Sequence, residues 1–347
     1  MIAFLTRTRQ KGRMDLTDWL AWGWAILGTL VVAIPVAWAV ISSLKTEAEI
    51  NSFPPALVPR AAQTITVEGQ AKPLSVWVRK APDGTEQTVA LVRRIGLSAT
   101  VVDPAKPQET FRVPVSELSQ LKEFHLQWPN YTEPLKQFNF LRYLWNTVFV
   151  TVVATALTLF LNSLTAFALS KYRFAGRNAV FALILSTMMI PLSVIMVPAF
   201  MVIVGLNLAD NLWGVILSTV STPTGVFLLR QYMLTIPDDL IEAARVDAAS
   251  EFRIYWRIVL PLCAPALAVL AIFSVIWRWN DFLWPLIVLS SPDNYTLQIG
   301  LNSLQGQFNV QWHYILAMTV VTLLPVTVVF LFLQKYITEG VASSGVK

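Results

Sequence analysis

Six stretches of this chain contain no Asp, Glu, Lys or Arg: Trp19–Leu44, Tyr143–Ser170, Asn178–Ala209, Asn211–Leu229, Ile258–Trp277 and Asn294–Gln334. They run for 19 to 41 residues. A helix crossing the hydrocarbon core of a bilayer needs about 20 mostly apolar residues. Each stretch meets that length, and the last is apolar over roughly His313–Leu333. Charged residues make up 14% of the sequence, well short of the roughly 25% of soluble domains. The pattern predicts an all-α polytopic membrane protein with six transmembrane helices. Pro191 and Pro198 interrupt the third stretch, which is read as one tilted span. The 26 residues of the first exceed the apolar core of a cleaved secretory signal, so it is read as a retained span.

The charges that exist are unevenly placed. Residues 44–142 hold 22 of the 47 Asp, Glu, Lys and Arg residues. Of the remaining Lys and Arg, 13 fall on one side of the predicted spans and none in the short loops 205–211 and 290–312. Basic residues mark cytoplasmic loops, and long loops translocate regardless of charge. Both termini are therefore expected in the cytoplasm. The predicted organisation is a cytoplasmic segment 1–18, transmembrane helix 1 at 19–44, an outside loop 45–142, a core of helices 2–6 at 143–335, and a cytoplasmic tail 336–347. Within the outside loop, about 62–126 reads as a small β-rich extracytoplasmic insertion of four or five strands. Leu74, Val76 and Val78 alternate with polar or amphipathic residues there, and Ala81-Pro82-Asp83-Gly84-Thr85 has turn chemistry.

The net charge of +5 is explained by those membrane-flanking residues, and no basic block interleaved with aromatics suggests nucleic-acid binding. The single cysteine, Cys263, excludes an intrachain disulfide, and two distant histidines give no metal cluster. No phosphate-binding loop, dinucleotide fingerprint, zinc-protease motif or nucleophile elbow is present. The chain does not read as an enzyme. Uphill movement of a solute through it would need an ion gradient or another protein's ATP hydrolysis.

Between the fourth and fifth spans lies a polar segment, 230–261. Pro237, Asp238 and Asp239 make a helix start, with acids at the positive end of the helix dipole. Leu240, Ile241, Ala244 and Ala248 share one face, and the small alanines would let it enter a groove closely. Ser250 and Glu251 begin a second helix running to Pro261. On physical grounds alone this is equally an amphipathic helix resting on the membrane surface.

The segment resembles the EAA loop of ABC-importer permeases, which reads E-A-A-x3-G-x9-I-x-L-P. Glu242, Ala243 and Ala244 match, as do Ile258, Leu260 and Pro261 at the required spacing, with Asp247 inside the pattern. Ala248 stands where the family has glycine. Trp279-Asn280-Asp281-Phe282-Leu283-Trp284-Pro285 resembles the fifth-helix signature of the MalG-type branch, which serves carbohydrate importers. Ser43-Leu44-Lys45-Thr46-Glu47, Phe53-Pro54-Pro55, Pro129-Asn130-Tyr131 and the C-terminal tail also resemble it, so the likeness covers roughly 1–60 and 127–347. Residues 62–126 look like an enlargement of the first periplasmic loop.

The resemblance implies a multi-pass permease subunit in a bacterial inner membrane. Its partners would be a second, MalF-like permease, two ATPase subunits and a periplasmic or lipid-anchored sugar-binding protein. ATP and Mg would be bound by the ATPase, and no cofactor by this chain. Disaccharides, longer α-glucosides and sn-glycerol-3-phosphate all remain open as cargo. Candidate pathway residues are Trp277, Asn280, Asn162 and Ser221. Arg278 and Asp281 are read as an intramembrane ion pair, since isolated charges there are costly. Gln305, Gly306 and Gln307 are candidates for contact with a docked binding protein. A self-contained secondary carrier is the competing class; it would call for repeated broken helices and coupling carboxylates, of which Asp281 alone qualifies.

Overall fold

The computed structural model describes residues 16–67, 72–80, 84–305 and 310–344. The chain divides into two compact units, Met1–Tyr131 with Trp312–Val320, and Thr132–Gln311 with Val321–Lys347.

The first unit begins with α1, Leu16–Ser43. Of its described residues only Ser42 and Ser43 are buried, and Trp19, Trp22 and Trp24 are all exposed. A helix apolar on every side is a lipid-facing helix. Its end is fixed by Asn130, whose side-chain amide donates to the carbonyls of Ser43 and Lys45, both at 2.8 Å. Beyond it lies the predicted β module, with eight strands where the sequence reading expected four or five. These are β1 Arg60–Ala62, β2 Thr64–Ile65, β3 Leu74–Lys80, β4 Glu86–Ile95, β5 Ser98–Asp103, β6 Lys106–Pro114, β7 Leu118–Gln120 and β8 Lys122–Phe124. Strands β3 to β6 form an antiparallel meander. The free edge of β3 is shared end to end by β2 and β7, and β1 pairs with β8, closing the module where the chain enters and leaves it. The strands missed in the sequence are two or three residues long, too short to show alternation. Val89, Ala99, Val101 and Val113 fill one core of the sheet, and Val67, Ala90 and Val102 another. Gly84 has φ of 85° in the expected turn; Ala81, Pro82 and Asp83 lie outside the described residues.

The second unit is helical. It contains α2 Phe140–Lys171, α3 Arg177–Thr187, α4 Leu192–Gly205, α5 Leu212–Leu217, α6 Pro223–Met233, α7 Asp238–Val246, α8 Glu251–Leu262, α9 Ala264–Trp279, α10 Leu283–Val288, α11 Leu297–Ser303 and most of α12, Trp312–Ser344. Among the described residues three helices are long and apolar enough to cross a membrane unbroken: α1, α2 and Trp312–Phe332 of α12. Two bent pairs add up to two more spans.

The expected single tilted third span is one of these pairs. It breaks between α3 and α4 with a bend of 104°. Pro191 lacks an N–H and disfavours helical geometry in the residue before it, which ends α3. The fourth stretch is likewise broken. Thr222 caps α6, its hydroxyl accepting from the Gly225 N–H, and Pro223 sits in the first turn. The resulting helices of 6 and 11 residues rise only about 9 and 16 Å at 1.5 Å per residue. The fifth stretch, Ile258–Trp277, falls within the second bent pair, α8 and α9, which meet at 77°.

Candidate functional site

The polar segment folds as the sequence predicts, into two short helices. The first, α7, starts after Pro237 with Asp238 and Asp239 in its first turn. Ile241 and Ala244 are buried in a core built with Leu229, Ile254, Tyr255 and Val259. The presented face is therefore not that of Leu240, Ile241, Ala244 and Ala248. It is formed by Asp239, Glu242, Ala243 and Val246, all exposed and spaced for one side of a helix. Val246 is 86% exposed, although apolar.

The end of α7 explains the unusual position 248. The Ala249 N–H donates to the Ala244 carbonyl and the Ala248 N–H to the Arg245 carbonyl, both at 3.0 Å. This is a Schellman cap, in which the residue after the C-cap Asp247 takes the left-handed conformation that glycine favours. Ala248 occupies it with φ of 56°. Ser250 then starts α8, its hydroxyl accepting from the Arg253 N–H. Tyr255–Val259 widens to a π turn directly before Pro261. Pro261 supplies no N–H for the fourth carbonyl back and its ring crowds that carbonyl, so the backbone opens there. Ile258 and Leu260 pack against the core of the segment, and Pro261 is exposed.

Both ends of α7 are held by the end of α2, a relationship the sequence reading missed. The Lys171 ammonium donates to the Ile236 carbonyl and to Asp238 Oδ1, each at 2.6 Å. Its side chain is 2% exposed. That contact holds the Asp238 carboxyl below the usual carboxylate range. The neighbouring Tyr172 hydroxyl donates to Glu251 Oε2 at 2.8 Å. Arg245 reaches the same carboxylate with two nitrogens, at 2.8 and 3.2 Å, a fork geometry that fixes orientation. Burial and the Glu251 contact push the Tyr172 hydroxyl up to about 12. Sequence separations of 67 and 79 residues leave no periodic signal for these contacts.

The pathway candidates are placed differently from one another. Asn162 is fully buried and holds the break between α5 and α6. Its amide donates to Thr222 Oγ1 at 2.9 Å, while its carbonyl accepts from the Thr222 N–H at 3.2 Å and the Ser221 hydroxyl at 3.4 Å. Trp277 and Asn280 are exposed on the chain's surface. Gln305 is exposed, and Gly306 and Gln307 lie outside the described residues.

The predicted ion pair is corrected. Arg278 lies in the last turn of α9, whereas Asp281 follows the C-cap Asn280, so the two do not share a helical face. Among the described residues they make no direct ion pair. The Arg278 guanidinium donates to Thr158 Oγ1 at 2.8 Å, to the Thr219 carbonyl at 2.6 Å and to the Ser274 hydroxyl. It also lies 5.6 Å from the Trp277 ring centroid, within cation–π range. Asp281 Oδ1 accepts from the Trp284 N–H at 3.4 Å. Two hydroxyls and a backbone carbonyl take the place of the carboxylate.

Broken apolar helices around a paired-helix polar segment with this spacing define a transport permease. The chain belongs to the family described as binding-protein-dependent transport system inner membrane component, whose profile matches residues 161–343. It is 42% identical over 208 residues to the arabinooligosaccharides transport system permease protein AraQ of Bacillus subtilis, covering 60% of this chain and 74% of that one. It is 35% identical over 212 residues to the inner membrane ABC transporter permease protein YcjP of Escherichia coli, covering 60% and 76%. It is 36% identical over 198 residues to the sn-glycerol-3-phosphate transport system permease protein UgpE of Yersinia pestis, covering 56% and 70%. A chain from the crystal structure of a bacterial ABC transporter involved in import of the acidic polysaccharide alginate shares the fold. Its TM-score is 0.65 at 22% identity, over 94% of this chain and 100% of that one. The chain is thus an integral membrane permease of the ABC carbohydrate-importer type.

Proposed function

We propose that this chain is one permease subunit of an ATP-driven importer of di- or oligosaccharides, α-glucosides among them, in a bacterial inner membrane. It crosses the membrane six times with both termini in the cytoplasm and forms half of the translocation pathway. A second, MalF-like permease supplies the other half. Two ATPase subunits bind ATP and Mg, and a sugar-binding protein delivers the cargo. This chain carries no catalytic residue. The observation that carries the reading is the α7–α8 segment: a small, acidic, exposed face of Asp239, Glu242, Ala243 and Val246 on a helix held at both ends by buried or forked polar contacts. Such a face can seat in an ATPase groove, and its attachments pass movement into the membrane helices. The cargo class is supported by the relative named for arabinooligosaccharide transport.

The test is copurification of the tagged chain from native membranes, with and without Glu242→Ala plus Ala243→Asp. Both residues are exposed, whereas Ala244 is buried and its substitution would disturb packing instead. The expected result is an ATPase subunit and a second permease with the native chain, and loss of the ATPase alone from the variant. Absence of any ATPase from the native preparation would overturn the importer reading in favour of ion-driven transport.

A further inference from the structure

Buried polar atoms almost always find a partner, because an unsatisfied one carries the full cost of its lost hydration. Two of the exceptions among the described residues, Arg278 Nε and Thr296 Oγ1, belong to side chains that line one small cavity. Arg278 is 5% exposed and Thr296 3%. Asp281 lines the same cavity, which has room for about one water molecule. Two more unpartnered atoms are close along the chain: Thr151 Oγ1, one turn of α2 from the lining Thr147, and Trp284 Nε1, beside the lining Pro285. The two charged residues of the segment thus face a common space without touching.

We propose that this cavity binds one ordered water that joins Arg278 to Asp281. The water accepts from the Arg278 Nε–H and donates to the Asp281 carboxylate and to Thr296 Oγ1. Three partners is the usual complement of a buried water, and the site is polar enough and large enough to hold one. The arrangement answers two facts together: a guanidinium whose direct partners are all uncharged, and a carboxylate within the apolar part of the chain with only a long contact to the Trp284 N–H. Arg278 also ties α9 to α2 through Thr158 and to the α5–α6 break through Thr219. The water therefore sits at the joint of three elements and makes the charge pair an indirect one.

The experiment is radiolytic hydroxyl-radical labelling of the full-length chain in lipid nanodiscs on the millisecond timescale, read by mass spectrometry. Radicals form at bound water, so side chains beside a buried water are oxidised although bulk solvent does not reach them. The expected result is labelling of Pro285 and Val150, which line the cavity, several-fold above the equally enclosed Leu229. Thr296→Val, which keeps the volume and removes the hydroxyl, should lower that signal several-fold, and Asp281→Leu should abolish it. Labelling of Pro285 and Val150 no stronger than that of Leu229 in the native chain would overturn the proposal. So would native labelling that neither substitution changes, since the water would then not be held by these groups.

Discussion

Asp210 Oδ1 accepts a hydrogen bond from the backbone N–H of Ser291 at 2.9 Å. It accepts a second from the N–H of Ser290, also at 2.9 Å, while Oδ2 takes the Ser291 hydroxyl. The Asp210 carbonyl receives the Asn294 amide. One residue in the short turn after α4 thereby brackets the loop after α10, across about 80 residues of sequence.

Replacing Asp210 with alanine removes the acceptor of both amides, of which the Ser291 N–H is part-buried. We expect it to destabilise the permease by about 2 kcal/mol, the cost of losing hydrogen bonds to a charged acceptor, measured as thermal unfolding in detergent. Asparagine should cost less, because its carbonyl can keep the Oδ1 contacts. These hydrogen bonds hold the Asp210 carboxyl well below the usual carboxylate range. A carboxyl with a depressed folded value contributes stability that is full above its unfolded value, near 3.9, and is lost as pH falls through the folded one. Unfolding scans should show the gap between native and alanine forms constant above about pH 5 and closing in stronger acid.

Ala248 is the mildest departure a glycine position can take, and it still has a cost. An L-residue in the left-handed region is disfavoured by about 1 kcal/mol or a little more relative to glycine. Nothing else at the α7 cap requires a side chain at this exposed position. Ala248→Gly should raise the unfolding midpoint and Ala248→Val should lower it. The reverse order would mean that the turn is not held in this conformation.

The two partners of the Lys171–Asp238 contact should not be equivalent. Lys171 is buried and also satisfies the Ile236 carbonyl, whereas the Asp238 side chain is 65% exposed. Exposed ion pairs contribute little, typically below ~1 kcal/mol. Asp238→Asn should leave unfolding nearly unchanged, and Lys171→Met should destabilise clearly, because it strands a carbonyl at the start of α7. The Tyr172 hydroxyl, pushed up to about 12, stays protonated and donating throughout pH 5–9. Its bond to Glu251 should therefore add no pH dependence there, while Tyr172→Phe should lower stability uniformly across that range.

Gly225 has no side chain because Asn162 fills the space. A Cβ there would collide with the Asn162 amide nitrogen and lie 2.7 Å from the Thr222 hydroxyl. Gly225→Ala should displace the asparagine from the α5–α6 break and destabilise by roughly 2 kcal/mol, within the range for overpacking a closed interior. Asn162→Ala in the same chain should add little further loss, a non-additivity that a double-mutant cycle reads directly.

The length of the charge-free stretches, the basic residues beside them and the spacing from Glu242 to Pro261 are local properties. They were enough to read an apolar helical chain, a β module and a two-helix polar segment, because apolar length and helical phase depend only on nearby residues. Other features needed the fold. The meeting of Lys171 with Asp238 and of Tyr172 with Glu251, the bracket from Asp210 to Ser291, and the contacts of Arg278 with Thr158 and Thr219 all join positions that are 59 or more residues apart. Sequence also overstated the continuity of the third and fourth spans. Hydrophobicity reports that a segment belongs in an apolar medium, but whether it stays straight depends on which carbonyls a proline frees and which distant side chain, here Asn162, is positioned to satisfy the opened backbone. The face that α7 presents was decided the same way: the alanine pattern allows either side to pack, and the position of the Leu229–Tyr255 core chose Ile241 and Ala244 for the interior, leaving Glu242 and Ala243 outside.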